Sequence, residues 1–89
     1  MARYIIIDNR SGYVVHDTAG THVADPIAAC RLHNANQNYR IVSSLRSTMI
    51  GYRVYEADNI PLISNYRHPH LIELIETECP LVASIRIAE

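Results

Sequence analysis

The chain has 89 residues with a net charge of −1, 48% hydrophobic and 19% charged. That length allows one domain, residues 1–89, with a core covering only about 60–65% of its unfolded surface. The composition excludes disorder, and the near-neutral charge excludes a global field for nucleic acid or an acidic surface. All eight basic residues are Arg, and six Tyr are present without Phe or Trp.

The N-terminus runs straight into a strand without an apolar segment of signal-peptide length, and no apolar run is long enough for a membrane span. A cytoplasmic protein with no membrane partner is expected. Cys30 and Cys79 are too few and too far apart for a disulfide framework, so buried free thiols are expected.

The first strand is read over Arg3 to Asp8. Ile5, Ile6 and Ile7 are consecutive and β-branched, which suits a strand well inside a sheet. Asp8-Asn9-Arg10-Ser11-Gly12 is a turn, with Gly12 free to adopt φ > 0. The second strand, Tyr13 to Asp17, alternates and completes a β-hairpin.

After a loop around Gly20, Asp25-Pro26 announces a helix running to about Asn36, with Asp25 as its cap and Pro26 at the first position. Ile27, Ala28, Leu32 and Ala35 are expected on its core face with Cys30 beside them. Ala29, His33, Asn36 and Gln37 are expected on the far side. Arg31 is expected to lay its stem along the edge of the core.

Tyr39 to Ser43 is the third strand, Ser44 to Ile50 is ambiguous, and Gly51 to Ala57 is the fourth strand. Asp58-Asn59-Ile60-Pro61 is a turn, and Leu62 to His68 is left unassigned because Pro69 disfavours helix at His68. A second helix runs from Pro69 to about Glu78, stopped by Pro80, and Leu81 to Ala88 is the last strand. The expected fold is α+β, in the order β-β-α-β-β-α-β. It is a mostly antiparallel five-stranded sheet with both helices on one face and the other face partly wet.

No motif carries chemistry. The five histidines offer His68-Pro69-His70 and His16-Asp17 with His22, but not the three or four ligands at restrained spacing that zinc requires. Cys-x-x-Cys, His-Glu-x-x-His, Gly-x-Ser-x-Gly and a phosphate-cradling glycine loop are all missing. No metal, cofactor or catalytic residue is expected, and His16, His22, His68 and His70 are expected at the surface. With the helices over Val54, Ile41 and Ile85, the open face would collect Arg40, Arg53, Tyr55, Ser84 and Arg86. Such a face can pair phosphates and stack bases, or bind a protein.

Tyr4 to Val14, followed by Asp25-Pro26-Ile27-Ala28-Ala29-Cys30-Arg31, resembles small proteins of phages and prophages, some of them anti-CRISPR proteins. Val15 departs from the aromatic expected in the second strand. The resemblance covers about a third of the chain. It implies a non-catalytic inhibitor, a monomer or weak homodimer, that keeps a larger protein or ribonucleoprotein complex, a CRISPR effector, from binding DNA. Arg10, Arg40, Arg53, Tyr55, Arg86, Glu73 and Glu76 are the expected contact residues. A nucleic-acid-binding module using the Arg/Tyr face is the first alternative, and a metal-dependent enzyme the second.

Overall fold

A computed structural model describes residues 2–34, 40–44 and 51–88, with side-chain surroundings outside that description for 40–44, 87 and 88. Along the chain lie β1 (Tyr4–Asp8), β2 (Val14–Asp17), α1 (Pro26–Asn34), β3 (Arg40–Ser44), β4 (Gly51–Glu56), α2 (Leu71–Glu78) and β5 (Leu81–Ala88). The protein is α+β. Its strands form one sheet in the order β2-β1-β4-β5-β3, and every neighbouring pair is antiparallel. The expected end of the first helix beyond Asn34, Tyr39 and most of the ambiguous stretch to Ile50 fall outside the described residues.

The hairpin forms where its turn chemistry dictates. Gly12 takes φ 75°, a value glycine adopts without steric cost. The Gly12 amide donates to the Asp8 carbonyl at 2.8 Å, and the Ser11 amide donates to Asp8 Oδ2 at 3.1 Å. Tyr13 precedes the strand, and a bulge between Ile6 and Ile7 shifts the register, pairing Ile6 with His16 and Ile7 with Val14.

β1 lies between β2 and β4, and its triple isoleucine is fully buried on both sides. One face packs Tyr4, Ile6, Val23, Tyr52, Val54 and Ile85 with Ala29 and Cys30 of α1. The other packs Ile5, Ile7, Val14, Tyr55, Ala57 and Ile60 with Leu71 and Ile75 of α2. The helices therefore sit on opposite faces, not on one. The reason is in β1 itself. Adjacent strand residues point to opposite sides, so three consecutive buried isoleucines need cover on both.

The rotation of α1 also differs from expectation. Asp25 does cap it, its Oδ1 accepting from the Ala28 amide at 2.7 Å. Ile27 and Ala28 pack against the core as expected, but the buried residues are Ala29, Cys30 and Asn34, while Leu32 is 46% exposed and Arg31 is exposed. Asn34 can be buried because Tyr52 Oη donates to its Oδ1 at 2.6 Å. Its Nδ2 is buried without a partner among the described residues, so the hydrogen bond from Tyr52 offsets only part of the desolvation, and apolar periodicity alone would reserve the position for leucine.

Candidate functional site

The expected Arg/Tyr face does not exist as an open surface, because α2 lies over it. Tyr55 is 6% exposed and belongs to the core beneath α2. Arg53 is half-buried, and its Nη1 lies 3.4 Å from Glu76 Oε1. Ser84 pairs with Arg53 across β4 and β5, one step from exposed Arg86, which pairs with Gly51. Arg40 lies on edge strand β3, and Arg10 is exposed on the hairpin turn. Of the acidic candidates, Glu76 is tied to Arg53. Glu73 is exposed on α2, with its Oε2 3.9 Å from His70 Nδ1.

The histidines divide in a way their spacing did not reveal. His16 meets His33 of α1, ring centroids 5.6 Å apart, and His33 meets Tyr52 edge-on at 5.3 Å. Burial, and secondarily the neighbouring His16, holds His33 below its ordinary value, while Asp8 pulls the other way. His22 is exposed, and His68 and His70 lie together with ring centroids 5.6 Å apart. Among the described residues, no three His, Cys, Asp or Glu side chains are grouped to hold a metal ion. Cys30 and Cys79 are buried on opposite faces. Burial pushes the Cys30 thiol up to about 12, far from reactive thiolate character.

What the structure builds instead is an apolar groove from the stretch that the sequence leaves unassigned. Ile60, Pro61, Leu62 and Ile63 form one wall, Leu71 and Leu74 of α2 form the other, and Ser64, Asn65, His68 and His70 close one end. The groove encloses about 400 Å³ and is open to water, with Leu62 76% and Leu74 39% exposed.

The wall carrying Ile60 and Pro61 is held in place by Arg3. Its Nε and Nη2 make a fork onto Asp17 at 2.9 and 2.7 Å. Nη1 donates to the carbonyls of Ala57 and Ile60 at 3.1 and 2.6 Å, and Nη2 also donates to that of Pro61 at 3.2 Å. The Arg3 amide donates to Asp58 Oδ1 at 2.8 Å. Burial works to raise the Asp17 carboxyl, but the Arg3 bonds, the Ala19 amide and the Arg3 charge together bring it below its usual value. At the far end, the Asn65 side chain accepts from the Arg67 amide at 3.0 Å. The Arg67 guanidinium lies 5.0 Å over the Tyr13 ring, a cation–π contact that ties the segment back to the hairpin.

Residues 57–70 thus form a fastened strap with one apolar side left open. The signals that could have revealed it were Leu62 and Ile63 between two prolines, and an Arg at position 3 in an otherwise apolar opening. Comparison with protein-family models, curated proteins and solved structures finds no match. Among the described residues, no helix is long and apolar enough to cross a membrane.

Proposed function

We propose that the chain is a non-catalytic binding protein that acts by occupying the surface of a larger protein or ribonucleoprotein complex. The groove supports this reading. Two exposed leucines, Leu62 and Leu74, lining one open apolar groove mark an interaction surface better than any other feature described. Glu73 is the sequence-expected contact residue that lies beside it. The finer reading, an inhibitor from a phage or other mobile element that keeps a CRISPR effector off its DNA in the host cytoplasm, rests on the resemblance of residues 4–14 and 25–31. The burial of Tyr55 and the pairing of Arg53 with Glu76 count against the alternative nucleic-acid face.

The test is a mobility-shift assay with purified CRISPR effector complexes of several types and their target DNA. Excess protein should abolish the DNA shift for at least one type, and Leu62→Asp should restore it while leaving the circular dichroism spectrum unchanged. Intact shifts for every type, with no complex retained on the immobilised protein, would sink the inhibitor reading.

A further inference from the structure

We infer that the groove's occupant is an apolar segment of a partner protein flanked by Arg or Lys, an inference that rests on the binding reading above. The two walls differ in charge. Residues 60–65 carry none. On α2, Glu73 lies 3.9 Å from His70, which lines the groove, and Glu78 lies four residues after Leu74 and seven after Leu71, on the same helical stripe. Both glutamates are exposed.

The arginines close to this region are engaged elsewhere, which leaves His70 as the one basic neighbour described for Glu73. Arg3 is saturated by Asp17 and three carbonyls, Arg67 lies on Tyr13, and Arg53 meets Glu76 on the opposite flank of α2. Among the described residues, no Arg pairs with Glu73 or Glu78.

The orientation of α2 makes the imbalance greater. Its last turn holds Glu76 and Glu78 and no basic residue. The negative end of the helix dipole therefore adds to the acidic side chains instead of being offset by a cation. An incoming Arg or Lys would relieve that arrangement while its apolar neighbours fill the space between Leu62 and Leu74. The glutamates then set orientation and rate of encounter, and the leucines supply the affinity.

Fluorescence anisotropy with three labelled synthetic helical peptides of about 15 residues tests this. All three share a leucine face and differ only in the flanking residues, which are Arg, Gln or Glu. The Arg-flanked peptide should bind about tenfold tighter than the Glu-flanked one. The preference should shrink when salt is raised from about 0.05 M to about 0.5 M.

Glu73→Gln/Glu78→Gln should bring the Arg- and Gln-flanked peptides to equal affinity without loss of fold. Leu74→Asp should abolish binding of all three. Equal binding of Arg- and Gln-flanked peptides by the unaltered protein would overturn the charge inference and leave the docking reading standing. Binding of none would overturn the inference, with the Leu62→Asp arm of the mobility-shift assay deciding the docking reading separately. Displacement by dodecanoate at lower concentration than by any peptide would overturn it in favour of an acyl ligand.

Discussion

The two faces of the sheet are covered by helices of similar length but are closed by different chemistry. Under α1 the core ends in polar side chains: His16 meets His33, His33 meets Tyr52, and Tyr52 bonds Asn34. Under α2 the core is apolar out to Ile60 and Leu71 and continues into the open groove. Its polar closure is displaced to the edge, onto Arg3 and Asp17. A face finished with the half-buried His33 and the buried amide of Asn34 is sensitive to protonation of His33. A face finished with leucines, held by an ion pair at its margin, can stay rigid while exposing a surface for another molecule.

The largest losses are expected in β1. Ile6→Ala strips the α1 face and Ile7→Ala the α2 face, and each should cost about 3–4 kcal/mol in urea denaturation. A sheet covered on one side only would show one large loss and one small, so near-equal losses distinguish the two arrangements.

Asp17→Asn leaves the Arg3 guanidinium with its carbonyl partners but without its counter-charge, and should cost about 3 kcal/mol. The same change should loosen the wall formed by Ile60 and Pro61. Faster amide exchange at 57–61 than in α1 would locate the damage on the α2 side.

Acid should separate the faces without mutation. Because His33 is held below its ordinary value, 6.5, the unfolded chain takes up the proton more readily. Its contribution is complete above that pH and drains away as pH falls below it. Asp17 is held low, so its contribution is complete above the ordinary 3.8 and drains away only as pH falls from there through its folded value. Between these limits, α1 amides should exchange faster while those of 57–61 stay protected. His33→Gln should flatten the pH dependence of the urea midpoint across the upper limit.

The smallest effect is expected at the pair of half-buried Arg53 and exposed Glu76. Glu76→Gln should change stability by no more than about 0.5 kcal/mol, which thermal melts at two salt concentrations can resolve from zero. A larger loss would mean that α2 is held from its outer flank rather than by Leu71 and Ile75.

Much of the backbone was legible from residues whose local physics leaves few options. The β-branched run at Ile5, the turn ending in Gly12 and the Asp25-Pro26 cap each name their own conformation. The α+β class and the antiparallel pairing follow from them. The placement of the helices was also written in Ile5-Ile6-Ile7, but it requires taking the consecutive run as a demand on both faces. The phase of α1 was not legible by hydrophobicity, since Asn34 turns inward on the strength of one hydrogen bond to a residue 18 positions away. The groove escaped for a related reason. Residues 60–65 follow no period, and Ile60 and Pro61 are fixed by Arg3 across a separation of 57 positions to Ile60.

The inner position of β1 has a consequence for the nascent chain. The strand is made before the elements that cover it, since β4 beside it and α2 above Ile5 and Ile7 come from residues 51–56 and 71–78. At about 5–20 residues per second, an apolar strand of three isoleucines waits on the order of ten seconds with one edge unpaired. That interval is when the chain is most exposed to aggregation through its opening strand. Slowing translation between β2 and β4 should therefore lower the soluble yield more than slowing it after α2.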